Sequence, residues 1–92
     1  MRVHIPSPLR PYADKQTAVE VGGTTVADVL VQLTAKFPEL KRHIFTDDGK
    51  VRGFVNVYLN DEDVRYLPEK DRSAVKEGDN ISILPSIAGG DR

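Results

Sequence analysis

Near its C-terminal end the chain carries two adjacent glycines, Gly89-Gly90, and these are the residues best suited to chemistry. A C-terminal glycine carboxylate has no side chain to crowd its approach to the α-phosphate of ATP. The glycine before it allows backbone angles and close packing that other residues do not. Such a tail can be adenylated by a partner and then attacked by a sulfur donor or a thiol. Replacing one carboxylate oxygen by sulfur yields a thiocarboxylate, a good sulfur nucleophile. Position carries this reading, because Gly22-Gly23 is a second such pair and reads as a plain turn. On the dipeptide alone, a frayed and inert terminus explains the residues equally well.

No other constellation competes. His4 and His43 lie far apart with no ligand spacing, so no metal site is expected. Asp61-Glu62-Asp63 lacks the oxygen spacing and the glycine of a calcium loop and reads as a solvated turn. Lys41-Arg42-His43 is too short for a nucleic-acid patch. Phosphate-loop, dinucleotide and nucleophile-elbow motifs are missing. The chain has no cysteine, which excludes disulfides, thiolate catalysis and cysteine-ligated zinc or iron–sulfur centres. It also leaves no internal thiol to react with an activated tail. With 13 basic and 14 acidic residues the formal charge is −1, without the basic excess of a nucleic-acid protein. No apolar run is long enough to span a membrane, and the N-terminus lacks a signal-peptide core. A cytoplasmic protein with no catalytic residues and no stably bound cofactor is the expectation.

Ninety-two residues make one small domain, read as residues 1–85 with a C-terminal tail at 86–92. Val3 and Ile5 alternate with Arg2 and His4 as a first strand. Pro6, Pro8 and Pro11 then break regular pairing, with Leu9 and Tyr12 free to pack over a core edge. Residues 16–21 alternate again and are expected to pair antiparallel with the first strand. Thr25 is the predicted helix N-cap, with Asp28 three residues on. Val26, Val29, Leu30, Leu33 and Phe37 form one apolar stripe that Pro38 ends. Residues 39–53 read as polar and irregular, pinned by Leu40, Ile44 and Phe45, with a turn at Asp47-Asp48-Gly49.

Residues 54–59 are the best strand, Val55, Val57 and Leu59 toward the helix and Phe54, Asn56 and Tyr58 away from it. A turn over 60–63, a return strand over 64–67 and one helical turn at 73–75 are predicted next. Residues 80–84 form the last strand, Ile81 and Ile83 inward, with regular pairing expected to fail at Pro85. One helix stripe and one apolar face per strand are buried together when the helix lies on a mixed sheet of four to five strands. With first and last strands side by side and parallel, this is an α+β, β-grasp (ubiquitin-like) arrangement. Fully extended, Ser86 to Gly90 reach roughly 17 Å beyond the domain, far enough to enter a partner's active site.

Over essentially its whole length the chain resembles the ThiS/MoaD family of ubiquitin-like sulfur carriers. The likeness is carried by residues 54–65, above all Asn60-Asp61-Glu62-Asp63-Val64-Arg65, by the Glu77-Gly78-Asp79 turn, and by Pro85-Ser86-Ile87-Ala88-Gly89-Gly90. The Asn-Asp-Glu-Asp-Val-Arg run is the narrower likeness, to carriers of a cysteine-biosynthesis route. The resemblance implies that Gly90 is adenylated by an E1-like enzyme using ATP, with Ile87, Ala88 and Gly89 threading that partner's active site. A sulfur-accepting synthase, cysteine synthase-like in the favoured route, then consumes the thiocarboxylate. Thiamine or molybdopterin synthesis uses the same chemistry. The family's active form ends at the second glycine, whereas Asp91 and Arg92 follow here. Cleavage between Gly90 and Asp91 by a JAMM-type metalloprotease is therefore expected. Phe54, Tyr58 and Leu84, on the sheet face away from the helix, are the expected docking residues. The other readings are a ubiquitin-like protein modifier, a small subunit of molybdopterin synthase, and a β-grasp interaction module with an inert tail.

Overall fold

The computed structural model of the chain describes residues 1–53 and 55–85. Strand β1 (Arg2–His4) turns Val3 inward and Arg2 and His4 outward, as alternation requires. It pairs antiparallel with β2 (Ala18–Glu20), Val3 opposite Val19. Between them the three prolines do more than break pairing. They set the backbone of a 3-10 helix over Ser7–Ala13, which buries Leu9 and Ala13. Tyr12, on this helix, stacks on His43 with ring centroids 4.1 Å apart.

Helix α1 (Val26–Lys36) begins where the sequence placed it. Thr25 Oγ1 accepts the Asp28 N–H at 3.1 Å, and the Asp28 carboxylate accepts the Thr24 N–H at 3.0 Å. Val26, Val29, Leu30 and Leu33 are buried on one face. The approach to the helix is tight: at Gly23, φ is +149° and a Cβ would lie 2.7 Å from Val29 Cγ2. The chain does not become irregular after Pro38. A second helix, α2 (Pro38–Ile44), starts there, with proline at the first helical position, where no N–H is needed. Leu40 and Ile44, four residues apart, are its buried side. Both residues pin the segment as expected, but as one helical face rather than as isolated anchors. Gly49 takes φ +85° in the following turn.

Strand β3 (Val55–Leu59) buries Val55 and Val57 and leaves Asn56 and Tyr58 half-buried on the other face. The return strand comes earlier than expected. β4 (Glu62–Asp63) already pairs with β3, and residues 64–66 form a 3-10 turn that buries Val64. Asn60 is the reason: it accepts the left-handed conformation (φ +58°), so the turn needs fewer residues. The helical turn expected at 73–75 lies instead at Lys70–Arg72, while Ala74 forms a β-bridge to Thr25.

The last strand, β5 (Asn80–Pro85), lies parallel to β1 and antiparallel to β3, giving the order β2-β1-β5-β3-β4. Pairing extends to Pro85, opposite Val55. A proline is tolerated there because the strand ends with it. Ile81 and Ile83 sit in the middle of the sheet and are fully buried with Val3, Leu30, Leu33, Leu40 and Ile44. The result is the mixed sheet and covering helices of a ubiquitin-like β-grasp fold.

Candidate functional site

One face of the sheet is covered by α1 and the other faces outward. On the outward face, cross-strand register sets the side chains in rows. Ala18, His4, Ser82, Tyr58 and Asp63 form one row across all five strands, and Leu84 and Asn56 begin the next. Leu84 is 48% exposed, an unusual setting for a large apolar side chain within the central strand. It lies just before Pro85, at the end of β5 from which the tail continues. Tyr58 and Leu84 therefore share the outward face, Leu84 at the tail end beside Asn56 and Tyr58 one row further from it beside Ser82. Phe54, Ile87, Ala88, Gly89, Gly90 and Asp91 lie outside the described residues.

Polar side chains order the rest of this face. Arg2 Nε donates to Glu20 at 3.1 Å across the β1–β2 pair, and His4 Nε2 lies 3.1 Å from Asn80 Oδ1. Asn60 ties the β3–β4 turn to β5, donating from its backbone to Asn80 O at 2.7 Å and accepting from Asn80 N at 3.0 Å. The Asp79 carboxyl is held below the usual carboxylate range, chiefly by the Lys76 backbone N–H and also by Asn60. The contacts of Asn80, Asn60 and Asp79 fix the base of the last strand.

The triple acid is not a uniformly solvated turn. Asp61 and Glu62 are exposed, but the Asp63 side chain is only 10% exposed because Arg65 lies over it. Arg65 Nη2 donates to Asp63 Oδ2 at 2.9 Å and to Asn56 Oδ1 at 2.7 Å, while Nε reaches Asp63 Oδ1 at 3.3 Å. The Arg65 backbone N–H also donates to Asp63 Oδ1 at 2.9 Å. These hydrogen bonds, the side-chain ones foremost, lower the Asp63 pKa and raise that of Arg65. Sequence reasoning gave neither residue a direction. The available signal was the Asp-x-Arg spacing, which puts two side chains on one side of an extended segment. It also passed over Tyr66, which is 83% exposed beside Arg65.

The remaining candidates supply no chemistry. His43 packs against Tyr12, with Nε2 buried and unpartnered among the described residues. Those residues contain no group of three or more His, Cys, Asp or Glu able to hold a metal, and no helix long and apolar enough to cross a membrane. A cleft of about 420 Å³ opens on the helix side of the sheet, between α1 and the 45–53 segment. Its walls are mainly apolar, including Val26, Leu30, Val31, Val55 and Val57.

Known proteins match this arrangement over nearly the whole chain. The ThiS family pattern matches residues 3–90. The sulfur carrier protein CysO of Mycobacterium tuberculosis is 38% identical over 90 residues, covering 96% of each chain. Among solved structures, the crystal structure of the Amycolatopsis orientalis BexX/CysO complex matches with a TM-score of 0.85 at 36% identity, covering 97% of this chain and 98% of that one. Small archaeal modifier protein 3 of Haloferax volcanii is 38% identical over 66 residues, covering 72% of this chain and 70% of its own. The shared fold, the CysO likeness and the family match together settle the affiliation: the chain belongs to the ThiS family and is a ubiquitin-like, CysO-like sulfur carrier protein rather than an enzyme.

Proposed function

We propose that Gly90 is the residue this carrier loads with sulfur. After cleavage between Gly90 and Asp91, the Gly90 carboxylate attacks the α-phosphorus of ATP on an E1-like enzyme, and pyrophosphate leaves. Sulfur at the sulfide level (HS⁻) then attacks the acyl carbon, AMP leaves, and loss of the S–H proton leaves the thiocarboxylate on the tail. A synthase, cysteine synthase-like in the favoured route, takes the sulfur from there. ATP belongs to the activating partner, and a JAMM-type metalloprotease performs the trimming. A cytoplasmic setting is part of the proposal. The observation that carries the reading is that the family match runs through residue 90. Exposed Leu84 at the tail end of β5, with Tyr58 one row further in on the same face, supports docking of a partner on this face while the tail enters its active site.

The test is the intact mass of the protein isolated from its native host, with its C-terminal peptide sequenced. A chain ending at Gly90 with sulfur in place of one oxygen is the expected product. If the chain always ends at Arg92, even with an E1-like enzyme, ATP and a candidate protease supplied, the carrier chemistry at Gly90 is refuted. A second reading, protein modification, draws on the likeness to small archaeal modifier protein 3. Branched peptides joining Gly90 to lysines would support it.

A further inference from the structure

The segment between α2 and β3 has one edge paired and one edge bare. Phe45 and Val51 form an antiparallel bridge, in which Arg52 N donates to Ile44 O at 2.8 Å and Thr46 N to Lys50 O at 2.7 Å. Backbone groups alternate sides along an extended segment, so those of Val51, between Lys50 and Arg52, point away from this bridge. Neither the N–H nor the C=O of Val51 has a backbone partner among the described residues, and the same holds for Gly53. Unpaired groups two residues apart are what a strand edge offers to another chain. Val51 and Gly53 also belong to the wall of the apolar cleft beside α1. Across from them is Val31, 57% exposed, the large apolar side chain that α1 leaves in solvent while Val26, Val29, Leu30 and Leu33 are buried. Around the cleft stand Lys50, Arg52 and Lys70 against one carboxylate, Asp71, and none of the four is in an ion pair among the described residues. Arg65, also at the cleft, is already paired with Asp63. Asp47 and Asp48 lie on the same turn as Lys50 but are not among the described cleft walls. The rim is therefore cationic, and its complement is acidic.

We propose that this cleft takes an extended peptide segment of a partner protein, apolar at its centre and flanked by acidic residues. The segment pairs its backbone with the Val51–Gly53 edge as an added strand. Its apolar side chains lie against Val31 and the cleft wall, and its carboxylates meet Lys50 and Lys70. No simpler occupant uses all three features. A small apolar ligand fills the walls and leaves the backbone groups unpaired, and a nucleic acid meets the cations but not the apolar surface. The site is on the helix side of the sheet, away from Leu84, and its use does not depend on the chemistry of Gly90.

The probes are the synthetic peptide acetyl-Asp-Glu-Val-Ile-Val-Asp-amide and its counterparts with leucine or phenylalanine in place of isoleucine. Each is titrated into the full chain, followed by NMR. The expected result is saturable shifts of the Val51 and Gly53 amides and the Val31 methyls, with Tyr58 and Leu84 little changed. N-methylation of one alternate set of peptide amides weakens binding about tenfold, and methylation of the other set weakens it far less, as one-sided strand pairing requires. The double variant Lys50→Glu, Lys70→Glu raises Kd about tenfold, and added salt weakens binding of the unaltered chain more than that of the variant. If the double variant does not fold, a peptide with lysines in place of its acids decides on the unaltered chain: it must bind more weakly by a similar factor. Absence of shifts at Val51 and Gly53 with every peptide at millimolar concentration overturns the proposal. So does equal binding of the acidic and lysine-flanked peptides. Shifts at these amides that appear on raising the protein concentration alone assign the edge to a second copy, and those produced only by an oligonucleotide assign it to nucleic acid; either result overturns it. Val51 and Gly53 amides already protected from hydrogen exchange in the free chain show an edge filled from within, which overturns it as well.

Discussion

The two faces of the sheet are built from the same five strands and have opposite properties. Toward α1, Val3, Val19, Ile81, Ile83, Val55 and Val57 are all buried, an unbroken apolar layer. On the outward side, one residue along each strand, stand Arg2, His4, Asn80, Leu84, Asn56 and Tyr58, none of them buried. The inner face holds the fold together through area removed from water, and it tolerates no polar substitution. The outer face has no covering element among the described residues and leaves a large apolar side chain, Leu84, in contact with solvent. Buried and exposed faces are thereby separated by a single step along the chain. A central strand that carries both is a direct mechanical base for the tail that follows it.

Substitutions can break or sharpen this separation. The largest effect is expected at Ile81→Ala, which empties a fully buried site in the central strand and should cost about 2–5 kcal/mol by denaturant unfolding. A cost below 1 kcal/mol would mean that the inner face is not the seat of stability. Gly23→Ala comes next, because alanine at φ +149° is strained and its Cβ meets Val29. A loss of about 1–3 kcal/mol in the same assay is expected. Leu84→Ala, one residue along from fully buried Ile83 and on the strand's opposite side, tests the outer face. Its stability should shift by no more than about 0.5 kcal/mol while binding to the adenylating partner weakens. A large unfolding effect there would show that Leu84 belongs to the core.

The smallest effect concerns acid. Asp63 and Asp79 have carboxyls held below the usual range, by Arg65 side-chain hydrogen bonds and by the Lys76 backbone N–H respectively. A lowered folded-state pKa contributes stability that is fully present above the ordinary carboxylate value, roughly 3.9, and is lost as pH falls through the folded-state value. The unaltered chain should therefore lose melting temperature on acidification below about pH 4 more than Asp63→Asn does. A gap between the two that stays constant through and below that range would show no contribution from the Asp63–Arg65 pair. Solvent screening keeps the effect small, since Arg65 is more than half exposed.

Much of this was legible in the chain itself. Period-two alternation identified the inner residues of β1, β2, β3 and β5, because burying one face of a strand leaves that pattern in any fold. The α1 stripe and its Thr25 cap were equally readable, being local hydrogen-bond and spacing rules. The parallel β1–β5 pairing was suggested by the order of the elements but not required by it, and the fold supplies it. α2 was missed because Pro38 reads both as a stop for one helix and as the first residue of another, and only the packing of Leu40 and Ile44 selects the second. β4 was displaced because a left-handed Asn60 shortens the turn, a conformation that asparagine permits but does not demand.

What sequence alone determined, then, is what rests on local periodicity and spacing: which side chains are inner and where α1 starts. What only the tertiary structure decided is direction and pairing across the chain. Asp61-Glu62-Asp63 looks like three equivalent acids until the β3–β4 register sets Asp63 beside Tyr58 and brings Arg65 over it to Asn56. The physical reason is that a charge's environment is made by residues distant in the chain. Whether Arg65 is solvated, neutralised or held out to a partner depends on which strand lies next to it.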